Sequence, residues 1–471
     1  MTLFALVKGI LSLKLMTKLG HENYAMLAQF MVFATFGVQL AVLSFDAPLV
    51  SSIATKNNQK IARMSFLLLL AINISLLILA GSFFSKEISL SVWGDGGYAE
   101  YVRYLIIYIF ALTLNHFFLV NYQGQKRFKA YGTVQITQQL MQLSAISIGV
   151  VMGSPIVLMV SLIVVEFALW VVLWFFYEGP FLTRVSVKEL MIWLSRSAKI
   201  ATPLFVAFLL IWALTNGARL ALVHFGGLEK LAPFAATFSL CVLAGVVINP
   251  ICAIFFPYFS KPSGESKKNK DALVSAQLAL AFLTTLSSIF IIVVCEKFLS
   301  FLVGEKLYAG DFFVFCICGA QVAYAQARIA MLYLSVNDKP KRGVLYFFIG
   351  VVVMLGIDWL GTKKYGVNGV ALGYFVGCLT IAFLFFRDAY FDNEKIGVLS
   401  SMRKLTFFFL IGFGVMIACA SVAIDSWKKM LVALLISFSL YLTLSFWNFS
   451  REIFLLKLKS RIISLISAKY A

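Results

Sequence analysis

Charge is scarce in this chain. Only 13% of its 471 residues are Asp, Glu, Lys or Arg, and it has nine Pro and three His. Soluble domains carry about a quarter charged residues, so an ordinary water-exposed surface is excluded. The seven Cys lie within or beside apolar runs, among them Cys241, Cys316, Cys318 and Cys378. None has metal or redox spacing, so they read as small apolar residues and not as a disulfide framework or a zinc site. No Gly-rich phosphate loop, metal-ligand cluster or nucleophile–base signature occurs. Nothing in the chain reads as an enzyme, and no cofactor is implied. The first segment lacks a basic lead and a small-residue cleavage site, and it reads as a span, not a cleavable signal.

What the chain has instead is apolar length. Hydrophobic residues make up 61%, with 46 Phe, and they fall into repeated runs of about 20 residues, the length that crosses a bilayer core roughly 30 Å thick. About fourteen such runs are expected, near 2–19, 26–50, 64–84, 101–122, 132–152, 154–177, 200–222, 231–257, 274–295, 311–335, 344–362, 367–387, 405–424 and 430–448. Backbone groups in lipid must be satisfied within the segment, so the runs are helices and the fold is an all-α integral membrane protein.

The runs are written twice. Gly94-Asp95-Gly96-Gly97-Tyr98-Ala99 returns as Gly304-Glu305-Lys306-Leu307-Tyr308-Ala309, an offset of 210. Lys60, Ala62 and Ser65 meet Lys270, Ala272 and Ser275 at the same offset. Gly20, Glu22, Ala25 and Ala28 meet Gly227, Glu229, Ala232 and Ala235 at 207. Three matches at nearly one offset mark an internal repeat, and an even number of spans per half makes it a parallel one. The expected organisation is a six-helix lobe over 1–177, a cytoplasmic linker over 178–199, a second six-helix lobe over 200–387, and a third part over 388–471. That part holds two extra transmembrane helices and a basic amphipathic tail (Leu455, Leu456, Leu458, Ile462, Ile463 and Ile466 among Lys457, Lys459 and Arg461).

The net charge of +19 suggests a nucleic-acid partner until its distribution is read. With a cytoplasmic N-terminus, most of the 40 Lys and Arg fall in inside loops and the tail, and far fewer fall outside. That is the positive-inside bias, which orients both termini to the cytoplasm and draws anionic headgroups. A nucleic-acid partner is not expected. All outside loops are short, roughly 4–16 residues on this span reading, too small for a catalytic domain.

Polar groups inside spans are costly and usually face a cavity or another helix. Gln135, Gln138, Gln139 and Gln142 form one stripe along span five. Tyr101, Tyr104, Tyr108, Asn115 and Tyr122 line one face of span four, and Gln321, Tyr324, Arg328 and Ser335 line span ten. Amides and phenols together suit a sugar; interhelical hydrogen bonding without a ligand is the alternative. Glu166 lies at the centre of span six among Ile163, Val164, Val165, Phe167 and Ala168. It is either a proton carrier or a permanently neutral acid bonded to a neighbouring helix. Arg328 lies about 13 Å inside span ten and needs water, a partner or an anionic ligand. Lys8 near mid-depth of span one makes a similar, weaker case. Asp46 lies beside Pro48, which is placed to break span two, and reads equally as a proton site or an interface carboxylate. Lys14, Lys18, Arg103, Lys230 and Asp358 are near enough to an interface to snorkel, and Arg219 joins them on depth alone. His116 and His224 read as structural.

Certain landmarks resemble those of bacterial polysaccharide flippases, the Wzx-type translocases of O-antigen repeat units. These form the polysaccharide-transport branch of the multidrug/oligosaccharidyl-lipid/polysaccharide exporter superfamily. The landmarks are Leu19-Gly20-His21-Glu22-Asn23-Tyr24, Tyr122-Gln123-Gly124-Gln125-Lys126-Arg127-Phe128-Lys129, Val187-Lys188-Glu189-Leu190 leading to Pro203, Arg219 with Gly226-Gly227, and Tyr365-Gly366-Val367-Asn368-Gly369-Val370-Ala371. The resemblance implies a two-lobe bundle in the cytoplasmic (inner) membrane that opens alternately to either side. Its implied cargo is an undecaprenyl-diphosphate-linked oligosaccharide bound for the outer leaflet. A polysaccharide polymerase and a chain-length regulator are implied partners. On this reading Arg328, Arg219 and Lys8 offset phosphate charge, and Gln135, Gln138, Gln142, Tyr108, Asn115 and Tyr324 line the cavity. Glu166 and Asp46 are candidates for proton coupling. The rival readings are a multidrug or cation antiporter of the same superfamily and, from another class, a membrane polysaccharide polymerase.

Overall fold

The computed structural model describes residues 2–55, 58–176, 185–259, 266–336, 340–391, 412, 414–418 and 427–449. Among these residues the elements are helices joined by short turns, with no strand. They are α1 (Thr2–Met16), α2 (His21–Val42), α3 (Asp46–Ala54), α4 (Gln59–Phe83), α5 (Ser85–Trp93), α6 (Ala99–Gly124), α7 (Phe128–Val151) and α8 (Pro155–Phe176). There follow α9 (Val187–Cys241), α10 (Ile248–Phe259), α11 (Ser266–Val303), α12 (Asp311–Val336), α13 (Pro340–Tyr365), α14 (Val367–Phe391) and α15 (Trp427–Phe449). The all-α membrane class is thus the observed one. Nine helical stretches among the described residues are long and apolar enough to cross a bilayer. The helix α7 is absent from that number because its four glutamines dilute an otherwise apolar sequence. The expected span at 405–424 and the amphipathic tail lie almost wholly outside the described residues, whereas α15 falls on the expected 430–448.

Two expected spans differ in detail. Span two is broken: α2 ends at Val42, Leu43 and Ser44 take positive φ values of 49° and 58°, and α3 begins at Asp46. Pro48 then sits in the first turn of α3, where its missing N–H costs no helical hydrogen bond. Residues 187–199 are helical and run straight into span seven as one element, α9. That element is interrupted at Gly227, where φ is 69° and ψ 179°. Gly20, its partner in the repeat, has φ 97° and ψ 159° before α2. Both lie in a region essentially reserved for glycine, so the echo in sequence is an echo in backbone. The second echo behaves alike: Gly94 and Gly304 both have positive φ, and each leads into a 3₁₀ turn, Gly96–Tyr98 and Glu305–Leu307. In both halves a side chain ties the helix after the kink to the later turn region. Gln29 Nε2 donates to the Val92 carbonyl at 3.0 Å, and Thr237 Oγ1 donates to the Leu307 carbonyl at 3.1 Å.

The chain divides into two compact units. One comprises Met1–Ser239, Phe298–Ala309 and Lys341–Thr380. Its interior is organised around α6, whose Ala111, Phe117, Phe118 and Val120 are buried. Arg63 Nε on α4 donates to Asn121 Oδ1 on α6 at 2.8 Å, and Trp93 Nε1 donates to the Met26 carbonyl at 3.1 Å. The other unit comprises Leu240–Lys297, Gly310–Pro340 and Ile381–Ala471. Its core packs Ile248, Ile251 and Phe255 of α10 against Ala272, Ala276 and Leu280 of α11 and Ala325 and Ile329 of α12. Ser288 Oγ donates to the Cys318 carbonyl at 3.1 Å, tying α11 to α12.

The α7–α8 hairpin depends on Gly149. A Cβ there would lie 2.4 Å from the Leu158 Cα and 2.8 Å from its backbone nitrogen, and a helix backbone cannot yield locally. Gly149→Ala is expected to cost about 2 kcal/mol, read as a lower melting temperature of the purified protein. An unchanged melting temperature would contradict this close approach.

Candidate functional site

In the first unit a cluster of polar side chains converges on Glu166. It projects from mid-length of α8, is 1% exposed, and has donors from two other helices. Asn115 Nδ2 of α6 donates to Oε2 at 2.7 Å and also to the Glu166 backbone carbonyl at 2.9 Å. From α7, Gln138 Nε2 donates to Oε2 at 2.9 Å and Gln142 Nε2 to Oε1 at 2.5 Å. Gln138 and Gln142 are four residues apart, so one face of α7 presents both amides to one carboxylate. Gln142 Nε2 also lies 3.3 Å from the Tyr108 hydroxyl, and the Tyr108 ring stacks on Phe30 at 5.4 Å. The carbonyl oxygen of Gln142, in turn, accepts from Lys8 Nζ of α1.

An amide bridges a base and an acid here. Lys8 and Glu166 attract each other, but Gln142 stands between them, its oxygen turned to the cation and its nitrogen to the anion. The pair is neutral overall, and the amide dipole is aligned with both charges. Every side-chain partner of the carboxylate is an N–H donor, an orientation that suits the anion. Primary amides carry a donor and an acceptor on one rotatable group. Turning Gln138 about its last bond would offer a protonated Glu166 an acceptor with no change of backbone. The cluster can therefore hold either form of the acid.

Glu166 thus has the neighbouring-helix partners that one of its two sequence readings expects. The structure brings Lys8, Tyr108, Asn115, Gln138, Gln142 and Glu166 together. Gln135 stays outside, donating to Tyr131 Oη within its own helix at 2.8 Å. Asp46 is also apart. Its Oδ1 accepts the Ala47 backbone N–H at 3.0 Å, and its Oδ2 lies 3.7 Å from His116 Nε2. That α3–α6 pair escaped sequence reasoning because neither residue has a local partner signal.

Arg219 of α9 does not snorkel. It is 6% exposed, its guanidinium lies 5.7 and 5.8 Å from the rings of Phe234 and Phe238, and its Nε and Nη1 have no hydrogen-bond partner. The aromatic faces offset part of the desolvation but leave those donors unmet. Arg328 and Tyr324 belong to the second unit, on α12. Arg328 is half-buried within electrostatic reach of Cys252, and no carboxylate pairs with it among the described residues. Lys14, Lys18, Arg103 and Lys230 are exposed, as snorkelling requires. Asp358 corrects the same expectation: it is 0% exposed, and both its carboxylate oxygens lack a partner. Depth along its own helix placed it near an interface; what buries it comes from the next helix. No group of three metal-ligating side chains occurs among the described residues.

No protein-family model matches the chain, and no curated protein matches it. Solved structures do. The chain is similar to a lipid II flippase, MurJ, in an inward closed conformation: TM-score 0.69, 15% identity, covering 96% of this chain and 98% of that one. It is similar to an inward-facing multidrug resistance MATE family transporter of the MOP superfamily, with TM-score 0.61, 16% identity, and coverage of 86% and 95%. A MOP superfamily transporter from Pyrococcus furiosus Vc1 matches with TM-score 0.51, 15% identity, and coverage of 86% and 92%. At such identities the likeness establishes the fold alone, an all-helical one that the chain shares with these structures.

Replacing Glu166 tests the cluster directly. Glu166→Leu strands three amide donors and leaves Lys8 without its counter-charge, an expected loss of about 3 kcal/mol. Glu166→Gln keeps an acceptor and is expected to cost about 1 kcal/mol. Thermal unfolding of both purified variants checks the order; a leucine variant as stable as the parent would contradict the network.

Proposed function

We propose that the chain is a flippase for undecaprenyl-diphosphate-linked oligosaccharide repeat units of a surface polysaccharide such as O-antigen. On this reading it sits in the bacterial cytoplasmic membrane with both termini inside and works by alternating access. The observation that carries this reading is the sign of the buried charge. Lys8 neutralises Glu166 through Gln142, whereas neither Arg219 nor Arg328 has a carboxylate partner among the described residues. Interior cations without acids attract an anion. A diphosphate supplies one, and its lipid tail can remain in the bilayer. The likeness to a lipid II flippase over 96% of this chain supports a lipid-linked cargo. Moving negative charge outward from an inside-negative cell is favoured by about 2.3 kcal/mol per charge per 100 mV. The membrane potential can therefore drive export, with proton return through Glu166 as an added coupling. Basic inside loops would hold anionic lipids, and a polymerase and a chain-length regulator would receive the exported unit.

The second reading is a multidrug or cation antiporter, favoured by the likeness to a MATE family transporter and by a buried acid, Glu166, whose amide donors can reverse.

A deletion strain separates the two. Under the flippase reading it loses surface polymer and collects intact lipid-linked repeat units on the inner leaflet. Wild type restores export, and Arg328→Ala is expected to restore it at least 10-fold less well at equal abundance. Units that reach the outer leaflet unpolymerised would point to a polymerase. Normal polysaccharide with increased sensitivity to cationic drugs would establish the antiporter.

A further inference from the structure

Asp358 lies in a seam made by small residues. On α14, Gly369, Gly373 and Gly377 recur every four residues and so share one face. They meet α13 at such short range that side chains would not fit. A Cβ at Gly369 would lie 2.3 Å from the Gly361 carbonyl carbon, and one at Gly377 would lie 3.0 Å from the Gly350 carbonyl oxygen. At the middle of the seam, a Cβ on Gly373 would lie 2.0 Å from Asp358 Oδ1. The carboxyl therefore fills the notch that the missing side chain leaves.

Nothing there satisfies it. Asp358 is fully buried, and neither oxygen has a hydrogen-bond partner. Its backbone carbonyl is taken by Thr362 Oγ1 at 2.5 Å. No charged group is paired with it among the described residues. Lys363 of α13 lies over Phe225 and Trp359, and Lys364 lies over Tyr365. On α14, Tyr374 is bonded to Cys378, and its ring meets Phe238. On α9, which reaches Met354 and Leu355 through Gly217, Arg219 lies over Phe234 and Phe238, and His224 is exposed beside Phe225. A residue needed only for packing would be apolar here, because an unpaired carboxylate in a dry seam is strongly unfavourable. A metal ion is excluded by space and by the single acid. The ligand that fits is a proton.

We propose that Asp358 and the glycine seam around it form a proton-binding site. The carboxyl is neutral while α13 and α14 are closed on it, and its ionisation requires the seam to part. Opening lets water reach the acid, which releases one proton to that water and is left as a solvated carboxylate. Closing needs the proton back. The two steps together make the α13–α14 contact an element whose state follows proton availability, whatever the cargo of the protein.

The test is amide hydrogen exchange of α13 and α14 in the full-length protein in lipid nanodiscs, corrected for intrinsic rates, between about pH 6 and pH 9. The wild type is expected to open at least 10-fold more often at the higher pH. Asp358→Asn keeps the shape without the acid and is expected to give a flat profile. Gly373→Ala wedges the seam and is expected to exchange fast at both pH values. A flat wild-type profile, or an unchanged pH response in Asp358→Asn or Gly373→Ala, would overturn the proposal. Should Asp358→Asn fail to fold, the wild-type and Gly373→Ala profiles decide it.

Discussion

A carboxylate halfway along an apolar helix must be met by donors from other helices, because hydrocarbon offers no water. Glu166 imposes that demand on the first unit. Its three amide donors come from α6 and α7 and set how those helices are turned about their axes. Rotating α7 by one residue, about 100°, would carry Gln138 and Gln142 off the carboxylate together. Apolar side chains tolerate such slips, since lipid and Leu are nearly equivalent partners. Asn115, Gln138 and Gln142 do not, and through Gln142 the same constraint reaches Lys8 on α1. Four helices thus take their registration from one acid.

The buried charges differ in how each is satisfied. Lys8 and Glu166 compensate each other across an amide. Arg219 rests on aromatic faces with two donors unmet. Arg328 is half-buried without a carboxylate beside it among the described residues. Asp358 is closed into a glycine seam. Groups already satisfied contribute structure, whereas groups left unmet contribute affinity for whatever satisfies them. The unmet donors belong to a cation, Arg219, and the unmet acceptors to a buried acid, Asp358.

Much of the fold is legible in the sequence. Span positions follow from apolar runs, and the repeat follows from glycines whose conformations recur, Gly20 with Gly227 and Gly94 with Gly304. The members of the Glu166 cluster were visible singly, as a Gln stripe, a Tyr/Asn face and a lone acid. Their meeting was not, because periodicity fixes which residues share a face but not which helix that face meets. For the same reason Gln135 sits in the stripe and yet bonds its own helix. Depth along α13 alone puts Asp358 near an interface, whereas Gly373 on α14 is what allows its burial. The Asp46–His116 pair needed the turn at Leu43–Phe45 that swings α3 beside α6, and its positive-φ residues carry no glycine signal.

The most direct test of the central claim is transport by the purified protein in liposomes. A polyprenyl-diphosphate oligosaccharide in one leaflet and a cationic dye in the lumen can be followed in parallel under an imposed potential. The account predicts that the lipid-linked oligosaccharide changes leaflets, faster when the potential favours movement of its negative charge, while the dye stays put. Proton-driven movement of the dye with no transfer of the oligosaccharide would contradict it.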